Sequence, residues 1–268
     1  MGGVTTEPYP RLIPIASSSK ANCTAIVAGG RVIIVDAGIS RRATIARLSD
    51  LGVLTAEKPA PDALLLTHEH SDHAKYVPDW LKHSQGIWAT MGTARKLGLV
   101  SKDEESGVYT AKCQWCEANA FDPDLRIDPL TITPMRVPHD AADPVAWRVA
   151  WGGRAAIVAT DLGDFPAGWD LFCRGCTDLL LEANYHPRLL AACSYLDSLK
   201  TRIGAAGGHM SVLRACEWIQ TSLPKTMERL YIGHLSKVAN DPRIVWSLVK
   251  AALAEAGRGD VTLEVLEE

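Results

Sequence analysis

An α/β layered fold is what this 268-residue sequence predicts. Short apolar runs with strand character alternate with segments of helical periodicity along the whole chain, the pattern of sheets covered by helices. The residues able to do chemistry recur just past the apolar runs, where loops present side chains over a rigid sheet. No linker, low-complexity tract or long charge block divides the chain, and at 47% hydrophobic it can bury a full core.

Taken in order, residues 11–16 and 23–36 read as strands, with Gly29-Gly30 as a hairpin turn inside the second stretch. Ser40 can cap a helix through about Leu51, with Ile45 and Leu48 at helical spacing. Ala63-Leu64-Leu65-Leu66 opens a buried strand over 63–67, followed by a helix from 73 to 82, a strand over 87–90 and a short helix over 92–97. The second half repeats the alternation. Residues 130–137 form a strand, 145–151 and 154–160 a hairpin around Gly152-Gly153, and 179–182 a buried strand. Helices are expected over 187–202 and 210–220, a last core strand over 230–233, and a closing helix near 242–256.

The net charge of −3 and pI of about 6.2 argue against a protein that coats nucleic acid through bulk charge. They leave room for an enzyme that grips one phosphate. Residues 1–10 carry no basic stretch followed by an apolar core, so no signal peptide is expected, and no apolar run approaches the roughly 18–20 residues of a membrane span. Seven cysteines without a secretion signal read as free thiols in a reducing cytoplasm. Two CxxC pairs, Cys113/Cys116 and Cys173/Cys176, could close a structural zinc site, although the usual gap between such pairs is far shorter. The alternative is four small buried hydrophobes.

The densest signal is His68-Glu69-His70-Ser71-Asp72-His73, where a buried strand should end. Imidazole nitrogen and carboxylate oxygen suit Zn²⁺ and similar ions, and a polar loop has little use for three adjacent titratable rings. The cluster predicts a metal-dependent hydrolase. His139, Asp161, His186 and His234 also stand just past apolar strands, where a ligand can face a cleft while its backbone stays anchored.

With these residues in place, the chain resembles the metallo-β-lactamase superfamily, whose mark is HxHxDH followed by a distant His, a distant Asp and a final His. It resembles most closely the YycJ/WalJ-type branch, described as DNA-processing exonucleases. The likeness runs through Ser17-Ser18-Ser19, Asn22-Cys23-Thr24, Val35-Asp36-Ala37-Gly38 and the His cluster. It continues through His139-Asp140-Ala141-Ala142-Asp143-Pro144, Thr160-Asp161-Leu162-Gly163, Leu181-Glu182-Ala183-Asn184-Tyr185 and Leu199-Lys200-Thr201-Arg202-Ile203. Gly208-His209-Met210-Ser211 and Gly233-His234-Leu235-Ser236 complete it. Two departures stand out: Lys20-Ala21-Asn22 replaces the usual Ser-Gly-Asn turn, and Val212 stands where Asn is common, both positions expected beside the substrate.

The resemblance implies an αββα four-layer sandwich, a single domain over 1–268 with ββα-type halves at about 11–125 and 126–268. It implies two divalent ions, zinc first and manganese second. His68, His70 and His139 would hold one, Asp72, His73 and His234 the other, and Asp161 would bridge them, sharing a water whose pKa falls toward neutrality. Asp72 could orient that water. Asp36 would act behind the ligands, fixing the His loop.

His209, at an expected helix N-terminus, reads as a phosphate binder or as proton donor to the leaving group. Glu182 would be a buried carboxylate in need of a partner, and His186 a structural or rim residue. Lys200 and Arg202 could clamp a phosphodiester, the alternative being exposed surface cations. Asn22, Ser19 and Ser236 could add hydrogen bonds to phosphate. The function expected is a phosphodiesterase or exonuclease acting on nucleic acid, DNA before RNA, with no membrane partner and the oligomeric state left open. Its rivals are a hydrolase of a cyclic nucleotide, thioester or lactam, and a non-catalytic metal-stabilised binding module.

Overall fold

The computed structural model describes residues 10–83, 86–102, 109–116 and 125–267. The first half runs β1 (Arg11–Ser18), β2 (Ala21–Ala28), β3 (Arg31–Val35), α1 (Arg41–Asp50), β4 (Ala63–Leu65), α2 (Ser71–Ala74), α3 (Val77–Leu81), β5 (Ile87–Thr90) and α4 (Met91–Lys96). Short strands β6 (Val100–Lys102), β7 (Tyr109–Ala111) and β8 (Gln114–Cys116) follow. The second half has β9 (Arg126–Ile127), β10 (Leu130–Arg136), β11 (Val145–Trp151), β12 (Arg154–Ala159), α5 (Trp169–Phe172) and β13 (Cys176–Glu182). It ends with α6 (Pro187–Ala192), α7 (Asp197–Gly204), α8 (Val212–Ser222), β14 (Arg229–Gly233), α9 (Pro242–Glu255) and β15 (Thr262–Val265).

One sheet has the order β1-β2-β3-β4-β5-β8 and the other β15-β14-β13-β12-β11-β10-β9, with β6 and β7 paired apart. Side chains alternate faces along a strand, and both faces are used. Ile26, Ala28, Ile33 and Val35 meet Trp147, Val149, Val158 and Leu180 of the other sheet. Their neighbours Ala25, Val27, Val32 and Ile34 pack with Leu48 of α1 and Trp80 of α3. Beyond the second sheet, Ile157, Ala159, Leu179 and Leu181 pack with Ile219 of α8 and Val249 of α9. The layers are therefore αββα, and strands covered on both sides explain why the apolar runs read as continuous. At the two glycine pairs φ is positive, at 54° and 73° for Gly29 and Gly30 and 61° and 78° for Gly152 and Gly153, as two-residue hairpin turns require.

Two expected helices are broken. The 73–82 segment divides into α2 and α3 around Tyr76, because Pro78 has no N–H to continue the first helix. The 187–202 segment divides into α6 and α7 across residues 193–196, which brings Leu190 and Ile203 into one cluster around Ala239. Asp178, buried at the edge of β13, accepts from the Leu12 amide of the opposite sheet at 2.9 Å and from Arg229 Nε at 2.9 Å. No helix among the described residues is long and apolar enough to cross a membrane.

Candidate metal centre

The candidate groups stand at the C-terminal ends of strands. Asp36 follows β3, His68 to His73 follow β4, His139 follows β10, Asp161 follows β12, Glu182 ends β13 and His234 follows β14. Asp36, Asp161 and His234 have φ of 67°, 57° and 55°, and they are the non-glycine residues of positive φ among those described. A left-handed backbone costs such a residue on the order of 1–3 kcal/mol and is kept where the surroundings hold it. Gly38 lets the Asp36 corner approach the His loop, since a Cβ on it would lie 1.9 Å from the Asp72 carbonyl oxygen.

His68, His70 and His139 offer ligand atoms within 4.8 Å of one another, and so do Asp72, His73 and His234. Asp161 stands between the triads. Its Oδ2 is 2.8 Å from His73 Nε2 and 3.5 Å from His234 Nε2, and its Oδ1 is 3.7 Å from His139 Nε2. One oxygen faces each group.

The rings are aimed from behind. His73 Nδ1 donates to Asp36 Oδ2 at 2.7 Å, His234 Nδ1 to Glu182 Oε1 at 2.8 Å and His139 Nδ1 to the Gly208 carbonyl at 2.9 Å. Carboxylate and carbonyl oxygens only accept, so each ring turns its Nε2 inward as a ligand would need. Asp36 is itself held by the Thr67 amide and hydroxyl, both at 2.8 Å. In the middle, buried His68 Nε2 makes no hydrogen bond, and buried Asp161 Oδ2 faces imidazole nitrogens of His73 and His234 that a ligand would share. Leaving a buried acceptor bare is costly, and a divalent cation would satisfy both. The donor set fits zinc or manganese.

The electrostatics point the same way. Burial holds His68 neutral, well below the usual histidine pKa, and lowers His70 too. Burial also opposes charge on His73 and His234, but carboxylates outweigh it. Asp161 and Asp36 raise His73 well above the ordinary value, and Asp161, Asp72 and Glu182 bring His234 to about 10. Burial would raise Asp72 and Asp161, yet the adjoining imidazoles hold both carboxyls far below their usual range. Protons thus balance a nest of negative charge, and a bound cation would displace them.

Above the centre lies a cleft of about 280 Å³. His209 lines it, 20% exposed, with Nδ1 donating to Glu182 Oε1 at 2.8 Å. Ser19, Ser236 and Arg202 line it as well, and Arg202 is hydrogen-bonded to Asp140.

Several expected contacts lie elsewhere. Asn22 is buried and braces the His loop, donating to Asp72 Oδ2 at 3.2 Å and to the Ser18 carbonyl at 2.9 Å. Lys200 donates to the Ala191 carbonyl at 3.0 Å and is not in the cleft wall. Val212, the first residue of α8, is fully buried in the core and does not line the cleft. His186 caps α6, accepting from Arg188 N. The four-cysteine zinc site is not assembled: Cys173 and Cys176 lie in the core beyond the second sheet, Cys113 against that beyond the first, and the Cys116 side chain is outside the described residues. Burial pushes the Cys113 thiol up to about 11 and raises Cys173 and Cys176 further, away from the thiolate that zinc needs.

Sequence reasoning missed Thr67, Asp140 and Tyr195. Thr67 carried a signal, because a hydroxyl before the first histidine can reach the strand-end Asp36; Asp140 and Tyr195 carried none.

A family model for the Beta-lactamase superfamily domain matches residues 31–234. The chain belongs to this superfamily. It is similar to the Exodeoxyribonuclease WalJ of Streptococcus pneumoniae serotype 2, strain D39, at 27% identity over 254 residues, 91% of this chain and 88% of that protein. It is also similar to the Exodeoxyribonuclease YycJ of Bacillus anthracis, at 24% identity, covering 91% and 89%. Among solved structures, the metallo-beta-lactamase fold protein YhfI from Bacillus subtilis superposes with a TM-score of 0.65 at 18% identity, covering 97% of each chain. These likenesses set the chain on the WalJ/YycJ side of the superfamily, as a metal-dependent hydrolase with the metallo-β-lactamase fold.

Proposed function

We propose that the chain is a two-metal phosphodiesterase that removes nucleotides from the end of DNA. The observation that carries this is Asp161, with one oxygen turned to each triad. His68, His70 and His139 would hold one ion, Asp72, His73 and His234 the other, with Asp161 shared. When bound, such a pair of ions lowers the pKa of a shared water and neutralises the charge of a phosphodiester. Zinc suits the donor set best, with manganese second. The relatives named as exodeoxyribonucleases support the DNA end as substrate. The free thiols at Cys23, Cys173, Cys176 and Cys216 support a reducing, cytoplasmic setting.

The side chains do the rest. Asp72, fixed by the Asn22 amide, accepts a hydrogen bond from the attacking water and aims it. As the water oxygen bonds to phosphorus it gives up one proton to the solvent of the cleft, the bond to the leaving oxygen breaks and its electron pair stays on that oxygen. His209 delivers the proton from Nε2, while its Nδ1–H stays on Glu182.

The test is purified protein with Zn²⁺ or Mn²⁺ on end-labelled single- and double-stranded DNA, RNA and bis-p-nitrophenyl phosphate. DNA shortened from its ends is the expected result. Turnover of the small diester with no polymer cleaved would move the assignment to a small-substrate hydrolase. Metal content should approach two ions per chain and drop in Asp161→Ala; an undiminished content in that variant would remove the shared ligand.

A further inference from the structure

One wall of the cleft comes from α7 and the turn before it. Leu199, Arg202 and Ile203 line the space from one face of α7, and Tyr195 lines it from the turn before the helix. The residues between them turn away, Lys200 to the Ala191 carbonyl and Thr201 to the Asp197 carbonyl. Tyr195 and Leu199 are half-buried against Leu190 and Ile203, and the Tyr195 hydroxyl lies 3.4 Å from Ser236 Oγ. Leu196, next to Tyr195, is 77% exposed, the most exposed large apolar side chain among the described residues. A rigid aromatic and aliphatic surface therefore borders a metal centre that is otherwise polar.

Charge says what this surface must do. Apart from histidines, Arg202 is the one cation lining the cleft among the described residues, against the carboxylates Asp72, Asp140 and Asp161. The chain as a whole carries −3. Beyond the one phosphodiester that the ions would take, a run of phosphates finds little to hold at this cleft, so further recognition has to draw on the nucleoside. The volume of about 280 Å³ is at the lower end for a small organic ligand, roughly 300 Å³ upward. A space of that size is on the scale of a single nucleotide.

We propose that the α7 wall is a nucleoside subsite: Tyr195 and Leu199 take one unpaired base, and Arg202 contacts the phosphate beside it. Arg202 is held ready by Asp140, whose Oδ1 lies 3.5 Å from Nε2 of His139, so the cation is tied to the metal centre. Every base has a π-face, so this recognition tolerates any sequence. It also requires a duplex end to open by one pair before cleavage. The inference rests on the phosphodiesterase reading above.

The experiment uses the metal-loaded wild-type protein and oligonucleotides that differ only at the terminal nucleotide, with each end altered in turn. Replacing the cleaved terminal nucleotide by an abasic residue should lower kcat/KM for the first cut by about tenfold, mainly through KM, the scale of one base–aromatic stack. A duplex with a mismatched final pair should be cut faster than its matched counterpart. Tyr195→Ala should abolish the difference between normal and abasic ends, and Tyr195→Phe should keep it. Arg202→Ala should raise KM and flatten its salt dependence by about one phosphate. Equal kcat/KM for normal and abasic ends in the wild type overturns the subsite, and needs no variant to fold. Hydrolysis of bis-p-nitrophenyl phosphate with no oligonucleotide cut overturns instead the nucleic-acid reading on which the subsite rests.

Discussion

Glu182 and His234 meet at 2.8 Å, carboxylate oxygen to imidazole Nδ1, and both side chains are buried. The same Oε1 lies 2.8 Å from Nδ1 of His209, while Oε2 accepts the amides of Leu162 and Met210. One carboxylate at the end of β13 thus orients a candidate ligand and the candidate acid together. These donors explain how it stays ionised: burial works to raise its pKa, but the two histidines bring it below the usual glutamate value.

The pH dependence follows from that contact. Burial opposes charge on His209, but the Glu182 carboxylate outweighs it and raises the pKa above 6.5. An acid must hold its proton, so turnover persists above pH 6.5 and declines once the pH passes the raised value. Glu182→Gln removes the charge, lowers the His209 pKa and moves the alkaline limb of kcat to lower pH. A kcat–pH profile on an oligonucleotide measures this. A limb that stays in place removes Glu182 as the cause of the shift.

Losing the acid itself should depend on the leaving group. His209→Ala should lower kcat on DNA by about 10²-fold or more, the usual worth of general acid catalysis. Release of p-nitrophenolate, which departs without a proton, should change far less. Comparable losses on both substrates would mean that His209 serves binding or structure instead.

Asp36 should matter through His73. With the 2.7 Å hydrogen bond removed, Asp36→Ala should weaken metal binding by about 10–100-fold, as loss of a ligand's outer partner commonly does. Competition against a chelator of known affinity reads this directly. Unchanged affinity would show that packing alone orients the ring.

Between the sheets, Asp178→Ala takes away the acceptor of the Leu12 amide and the carboxylate facing Arg229. The side chain is fully buried, while Arg229 is 24% exposed. The loss should be about 3 kcal/mol, the lower end for a broken buried pair. Urea unfolding of the metal-free protein measures it, and a change under about 1 kcal/mol would class the contact with surface ion pairs.

How much of this was legible in the sequence depended on how local the chemistry is. The crowding of His68, His70, Asp72 and His73 announces itself, because no ordinary loop needs it. His139, Asp161 and His234 are single residues, and only their place after apolar strands marked them. Contacts made in three dimensions left no trace: Arg202 finds Asp140 across 62 positions, and Leu12 finds Asp178 across 166. The polarity of Asn22 is visible in the sequence, whereas its burial and its bond to Asp72 are not. The α/β layering, by contrast, is recorded directly by apolar runs alternating with helical segments, while the αββα order was what the resemblance to the superfamily implied.

The left-handed corners at Asp36, Asp161 and His234 set stability against activity. Glycine adopts that backbone freely, where an L side chain is strained. In metal-free protein, Asp161→Gly should therefore melt higher than Asp161→Ala, although both lack the carboxylate; the reverse order would mean that the corner stores no strain. A selection for heat resistance alone would accordingly favour replacing two residues that would hold the ions, Asp161 and His234, and one, Asp36, that aims a third. Their presence at these three bends records a chain chosen for what it does at the cleft, at some expense to how firmly it folds.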